Sequence, residues 1–298
     1  MKPAPEELTS LASENVPAMS DADFAALGRL VRDQTGIVLN ESKRWMLTSR
    51  LSREIKRLGL TDFASYRRLL EHPDAAAELQ ALTSAVTTNV TSFFRGADHF
   101  HALAEMIPAF KDKLQRGGRV RIWSAGCSTG QEPYSIAMTL MSEWPEVASA
   151  DIRILATDID AEVISTARGG VYPAKELEGA ETSLLRRFTR PGPQPDTIEV
   201  LPELRHLVRF EQLNMLGHWP FNGSFDVIFC RNVVIYFDAE TRHRLWERFA
   251  ARLEPEGWLF VGHSERIDRS LETILRPSGV TRYKRCSGAA SPKMSNSR

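Results

Sequence analysis

Arg121–Ala137 reads RIWSAGCSTGQEPYSIA. An apolar run ends in a loop of small residues, and a helical pattern follows, with Ile136, Leu140 and Trp144 four residues apart. Gly126 and Gly130 allow the main chain to come close to a neighbour where a Cβ would clash. Pro133 suits the first position of the helix, which sets Glu132 near its N-cap. The unit is therefore a strand, a glycine loop and a helix with a carboxylate at its mouth. Outward from it the same alternation continues. DIRILATD (151–158) is a strand candidate and AEVISTARGG (161–170) a helix closed by glycines. HLVRFEQLN (206–214) is a strand, and FDVIFCRNVVIYF (225–237) contains one. A helix spans about 240–253, and GWLFVGHS (257–264) is a further strand. Strands alternating with helices predict an α/β fold with a doubly wound, mostly parallel sheet. The segment 190–208 holds four prolines and breaks the alternation, which predicts a small β insertion at about 187–208.

In open sheets of this kind ligands bind beyond the carboxyl ends of the strands. The second strand ends on Asp158, where a carboxylate can accept hydrogen bonds from ribose hydroxyls. The spacing G-x-G-x-x-G of dinucleotide sites is absent, and GCSTG (126–130) lacks the lysine of a phosphate loop. A ligand with ribose and adenine but no pyrophosphate fits these residues, and S-adenosylmethionine is the candidate. Taken alone, Gly126 and Gly130 also fit a plain tight turn, and Asp158 a helix cap.

The chain has 298 residues, enough for two domains. Lysine plus arginine and aspartate plus glutamate each number 38, so net charge points neither to nucleic acid nor to a membrane surface. No run of 18 apolar residues predicts a membrane span, and the N-terminus lacks the apolar core of a signal peptide. Three cysteines without a CxxC pair fit a reducing cytosol, with Cys127 and Cys230 as small buried residues. The seven histidines show no ligand spacing, so no metal is expected. Residues 1–19 and 286–298 read as disordered tails. Between 20 and 86 the periodicity is helical throughout. Ser20 caps a first helix bearing Phe24, Leu27 and Val31, and later helices are placed at about 42–58, from Thr61, and at 74–86. The expected domains are a helical one at 20–86 and a sheet domain at 87–285.

NVTSFFR (89–95), WSAGCSTGQEPYSIAM (123–138), ATDID (156–160), FDVIFCRNVVIYF (225–237) and GHSE (262–265) occur in this order and closely resemble the motifs of the CheR family, chemotaxis receptor glutamate methyltransferases. The likeness covers about residues 20–285. It implies a Rossmann-like methyltransferase domain behind an all-helical domain. It implies S-adenosylmethionine as methyl donor, S-adenosylhomocysteine as product, and glutamates on the cytoplasmic helical domain of methyl-accepting chemotaxis receptors as acceptors. Matched motif by motif, the cofactor contacts fall on Asn89, Thr91, Arg95, Glu132, Asp158, Asn214, Met215, Asn232 and Val233, with Gly126 in the loop. Arg95 and Tyr236 match the positions nearest the transferred methyl group. Gln131 stands where the family often has an acidic residue. The β insertion resembles a subdomain that in some members binds a receptor's C-terminal peptide. A cytoplasmic monomer without nucleic-acid or membrane binding is expected.

A glutamate acceptor has an ordinary pKa of about 4.3 and is ionised at neutral pH, so its methylation needs no general base. The motifs agree, since they contain no Ser/His/Asp or Cys/His set. Arg95 can hold a carboxylate through two hydrogen bonds, and Tyr236 offers a ring face and a hydroxyl. Residues 42–60 add a basic helix. Lys43, Arg50, Arg53 and Arg57 fall within an arc of about 80° at helical spacing, suited to docking an acidic receptor helix or to a solvated face. Two other readings remain at this stage: a methyltransferase for another substrate, and a cofactor-sensing module without catalysis.

Overall fold

The computed structural model describes residues 18–178 and 182–287. The chain divides into two compact units between Thr87 and Thr88.

The first unit is helical. It contains α1 (Asp21–Thr35), α2 (Arg44–Arg57), α3 (Phe63–Leu70) and α4 (Ala76–Val86). The Ser20 side chain caps α1 by accepting the Asp23 N–H, and Gly36, at φ 75°, ends it in the left-handed region. Asp62 caps α3 by accepting from Ser65 N. The apolar positions of these helices close on one another, and Leu27, Val31, Leu47, Leu51 and Tyr66 are all fully buried. Two expectations change here. Lys43 lies in a 3-10 turn, Glu41–Lys43, and not on α2 itself. Met19, assigned above to a tail, is buried, and the Thr48 hydroxyl meets its sulfur at 4.0 Å. Residues 1–17 and 288–298, the rest of the two expected tails, lie outside the described residues.

The second unit opens with α5 (Ala97–Glu105) and α6 (Ile107–Gln115), which the reading of strands and turns passed over. Phe100, Leu103, Ile107 and Phe110 supply their buried face at helical spacing. There follow β1 (Val120–Ala125), α7 (Gln131–Glu143), β2 (Ile152–Asp158), α8 (Ala161–Gly169), β3 (Val171–Pro173), α9 (Thr182–Arg187), β4 (Thr189–Pro191), β5 (Thr197–Val200), α10 (Pro202–Arg205) and β6 (Val208–Gln212). The chain continues through β7 (Phe225–Cys230), α11 (Ala239–Arg252), β8 (Leu253–Val261), β9 (Leu275–Pro277) and β10 (Arg282–Arg285). Among the described residues the strands form a seven-stranded sheet, ordered β6-β2-β1-β7-β8-β10-β9, and a three-stranded one, ordered β3-β5-β4. The first five strands of the large sheet pair in parallel, and β10 runs antiparallel to both β8 and β9.

The small sheet is antiparallel. Its third strand, β3, comes from 171–173, ahead of the insertion expected at 187–208, and Val208 already belongs to the large sheet. A three-residue strand carries too little alternation to announce itself. At the other end, Cys286 N–H donates to Ile274 O at 2.9 Å, so the sheet's hydrogen bonding runs one residue past the expected boundary.

The order of the sheet brings β1 to the middle of its five parallel strands. There Trp123 is fully buried, donates from Nε1 to Thr157 Oγ1 on β2 at 2.9 Å, and meets the rings of Trp219 and Phe249 at 4.8 and 5.2 Å. The carboxyl ends of β1, β2, β7 and β8 thus stand side by side.

His99 on α5 is 1% exposed, and its Nε2 lies 2.7 Å from Thr281 Oγ1. The Thr281 hydroxyl donates to Val280 O, so His99 Nε2 is the donor of this pair. Burial, with Arg231, His263 and Arg282 nearby, pushes the His99 pKa down to about 3. The unfolded chain takes up the proton near the ordinary value of 6.5 and the folded chain does not. Stability from this group is therefore complete above that value and is lost as pH falls toward 3, by roughly 1.4 kcal/mol per pH unit at most. Urea unfolding between pH 7 and 4 is expected to show this loss in the native protein, and a smaller pH slope in His99→Phe.

Candidate active site

The glycine loop after β1 is shaped by its neighbours. Gly126 and Cys127 both donate main-chain N–H groups to Thr157 O, at 2.8 and 2.9 Å, so the end of β1 is fastened to the end of β2. Gly126 has φ 81°, and a Cβ there would stand 2.4 Å from Val233 Cγ2. Gly130, at φ 99°, would bring a Cβ within 2.8 Å of Ala167 and 2.9 Å of the Tyr172 hydroxyl. Both positions therefore need glycine, on conformational and on steric grounds. Gly130 is the N-cap of α7, which begins at Gln131, so Glu132 lies inside the first turn, with Pro133 behind it and not at the first position. An acid in that turn is favoured by the helix dipole.

Glu132 is held from both sides. Its Oε1 accepts from Ser124 Oγ at 2.7 Å, and its Oε2 pairs with Arg231 Nη1 at 3.1 Å, with both side chains largely buried. Arg231 also donates from Nη2 to the carbonyl of Arg95. Gly96, at φ 74°, makes room for it, since a Cβ there would lie 2.4 Å from Arg231 Nη2. One guanidinium thus joins the end of β7, the first turn of α7 and the segment that carries Arg95.

Asp158, 9% exposed, accepts Ser128 N–H at 2.8 Å and Asp160 N–H at 3.1 Å. Burial raises its pKa, with those main-chain donors acting against the rise. The cap of α8 is Asp160, whose side chain accepts Glu162 N–H at 3.0 Å, so Asp158 is not spent as that cap. Asn89 Nδ2 donates to Asp160 Oδ2 at 2.9 Å, and Asn89 O accepts from Ser128 Oγ at 2.8 Å, which draws the 89–95 segment to the same edge. Asp158 and Glu132 both raise the pKa of the buried Cys127 thiol, behind the larger effect of burial. The two carboxylates therefore flank one loop. Cys127 and Cys230 are buried, with thiol pKa values pushed well up, which suits packing and not nucleophilic attack.

The other expected residues sit on the same edge in different settings. Asn232 follows β7 with φ 59°, in the left-handed region. Val233 reaches Gly126, and Tyr236 closes the 3-10 turn Val234–Tyr236, half-buried. Asn214 Oδ1 accepts Leu216 N–H at 2.9 Å, and Met215 O accepts from Trp219 Nε1 and Arg248 Nη1 at 3.0 and 2.7 Å. The loop bearing these two is joined to Asp158 by Leu213 N–H donating to Asp158 O at 2.8 Å. Thr91 is half-buried, and the exposed Arg95 donates from Nη1 to Val90 O at 3.0 Å. Sequence reasoning missed Ser124, Ser128, Asp160 and Arg231. Arg231 lies inside the quoted FDVIFCRNVVIYF, and a charged residue directly after a buried strand was the available signal.

The residues fit an adenosyl ligand. A glycine floor against Val233 leaves no side chain in the loop's bend, and carboxylates with unused acceptor capacity suit hydroxyl and ammonium donors. Among the described residues no cluster of His, Cys, Asp or Glu capable of holding a metal is found.

The docking set belongs to the helical unit. Arg50 Nη1 donates to Ala85 O and Thr87 O at 2.9 and 2.7 Å, so this side chain turns back onto its own unit. Arg57 pairs with Glu54 at 2.7 Å, and Arg53 is exposed. Helical spacing gave the angle of Arg50 but not the reach of its side chain.

A parallel sheet with an antiparallel strand near one edge, and a glycine loop flanked by carboxylates at its carboxyl ends, define a Rossmann-like methyltransferase. Residues 89–284 match the model of the CheR methyltransferase SAM binding domain, and residues 22–87 that of the CheR methyltransferase all-alpha domain. The chain belongs to the CheR methyltransferase family. It is 42% identical over 258 residues to a probable chemotaxis protein methyltransferase of Rhizobium etli, covering 86% of this chain and 96% of that protein. It is 42% identical over 269 residues to the chemotaxis protein methyltransferase of Escherichia coli, covering 89% and 91%. With chemotaxis protein methyltransferase 2 of Pseudomonas aeruginosa it shares 44% over 266 residues, covering 88% and 92%.

Gly126→Ala is expected to force a Cβ into Val233 at a φ that costs about 1–3 kcal/mol to hold. Calorimetry with S-adenosylhomocysteine should show binding weakened by about tenfold or more, with the helical unit's unfolding unchanged.

Proposed function

We propose that this protein transfers the methyl group of S-adenosylmethionine to glutamate side chains on the cytoplasmic helical domain of methyl-accepting chemotaxis receptors, forming glutamate methyl esters and S-adenosylhomocysteine in the cytoplasm. The observation that carries this reading is the pair of held carboxylates, Glu132 and Asp158, flanking one glycine loop in a chain whose relatives are named chemotaxis protein methyltransferases.

Bound S-adenosylmethionine supplies an electrophilic methyl carbon on a positively charged sulfur. Asp158 would accept from ribose hydroxyls, with the Ser128 and Asp160 N–H groups fixing its orientation. Glu132, fixed by Ser124 and Arg231, would offer its remaining acceptor capacity to donors of the bound cofactor. Asn89, Thr91, Asn214, Met215, Asn232 and Val233 complete the cofactor's surroundings. The acceptor glutamate arrives already ionised, so no side chain has to remove a proton. What the site contributes is alignment and exclusion of water, which in model reactions is worth up to roughly 7–11 kcal/mol. Arg95 orients a carboxylate through its guanidinium, and Tyr236 lends a hydroxyl and a ring face near the sulfonium. Docking of the acidic receptor helix falls to the exposed side of α2, with Arg53 and Arg57 as its outward cations.

Incubation with tritiated S-adenosylmethionine and receptor-containing membranes should give base-labile methyl label. Base-stable label would reassign the acceptor, and cofactor binding without label would make the protein a sensor. Tyr236→Phe is expected to lower kcat by about tenfold or more with little change in cofactor affinity. Arg53→Ala with Arg57→Ala should raise KM for receptor and flatten its salt dependence while sparing S-adenosylhomocysteine binding. A salt dependence equal to that of the native protein would remove α2 from the docking surface.

A further inference from the structure

One carboxylate fastens the loop after β7 to the loop after β8. Glu265 is 3% exposed. Its Oε2 accepts the main-chain N–H of Asn232 at 2.9 Å and that of Gly262 at 2.5 Å. Its Oε1 accepts those of Val233 and Val234 at 2.9 and 3.1 Å. Three consecutive N–H groups converging on one anion form a nest, a backbone shape that an anion selects. The shape is also held against resistance, because Asn232 occupies the left-handed region at φ 59°. Gly262 belongs to the same arrangement, since a Cβ there would lie 2.7 Å from Glu265 Oε2 and 2.9 Å from Asn232 N. Tyr236 follows directly, its N–H donating to Val233 O at 3.3 Å, so its place is inherited from the clamped residues.

We propose that Glu265 is a positioning residue for the methyl transfer: its carboxylate holds the Asn232–Val234 main chain in the shape that presents Asn232 and Val233 to the adenosyl cofactor and Tyr236 to the acceptor glutamate. The proposal rests on the reading of that loop given under Proposed function. A glutamine is the same size but a poor substitute. It has one acceptor oxygen in place of two, and its amide N–H groups would face main-chain N–H groups. Packing alone does not call for an ionised group at a position this buried, where an unpaired charge is costly. The donors around Glu265 come from the two loops, so the charge is satisfied only while both keep their present shape.

The test uses the full chain with Glu265→Gln, and three readouts. Amide hydrogen exchange is expected to speed up by about tenfold or more at Asn232, Val233, Val234 and Gly262, with β7 residues Val227–Phe229 still protected. Calorimetry should show S-adenosylhomocysteine bound about tenfold or more weaker, and receptor-methylation kcat should fall. The kcat losses of Glu265→Gln and Tyr236→Phe should be far from additive, because the first acts through the second. Additive losses, or native affinity and native kcat in a protein whose loop exchanges faster, would overturn the proposal. Asn232→Ala separates that result from failure of the underlying reading. If it weakens S-adenosylhomocysteine while Glu265→Gln does not, the loop binds cofactor and the clamp is not what positions it. If neither variant changes affinity, the loop is not a cofactor site. Glu265→Asp, which retains charge and both acceptors one methylene back, carries the same measurements where the amide variant does not fold, and is expected to keep more kcat than Glu265→Gln.

Discussion

A carboxylate taken out of water needs donors, and at the carboxyl edge of this sheet the donors are mostly main-chain N–H groups. Asp158 takes Ser128 and Asp160, Asp160 takes Glu162, and Glu265 takes residues from two loops. Glu132 is the exception, relying on a hydroxyl and the Arg231 guanidinium. Each acid therefore dictates the path of the chain around it. The loops at this edge are irregular in sequence and conformation, with Ser128 and Asn232 both at positive φ, yet they are bound at several points. Fastening of this kind suits the alignment on which the proposed methyl transfer depends.

Arg231 plays the complementary part. A buried guanidinium is as demanding as a buried acid, and its two terminal nitrogens meet that demand with Glu132 and the Arg95 carbonyl. Because the pair links α7 to the 89–96 segment across β7, loss of either partner leaves an unmatched charge beside the other. The expected cofactor residues and the expected catalytic arginine are thus mechanically connected, even though they lie far apart along the chain.

Much of this was legible in the sequence, and the reasons for the rest are physical. Strands β1 and β7 announce themselves because both their faces are largely buried, while β2, with Arg153 exposed, shows a buried face at alternate positions. Ser20 was readable as a cap because its hydroxyl acts on residues next to it in sequence. Strand β3 was not, being three residues long, nor was β10, whose pairing depends on chain that returns from β9. Helical spacing put Arg50 on an outward arc, yet its long side chain folds back to two carbonyls at the end of α4, a choice no periodicity encodes. The roles of Glu265 and Arg231 were hidden for the same reason. A charged residue just beyond a buried strand signals that it needs partners, but not which groups supply them.

The span between Asn89 and Glu265 has a bearing on biosynthesis. A ribosome that has delivered β1, β2 and the glycine loop has still not delivered the anion that shapes the loop after β7. Main-chain groups from Asn232 to Val234 must wait for a residue some thirty positions later. Nascent or truncated chains that stop short of Glu265 therefore lack the acceptor for these main-chain groups, which arrives only when nearly the whole described chain is present.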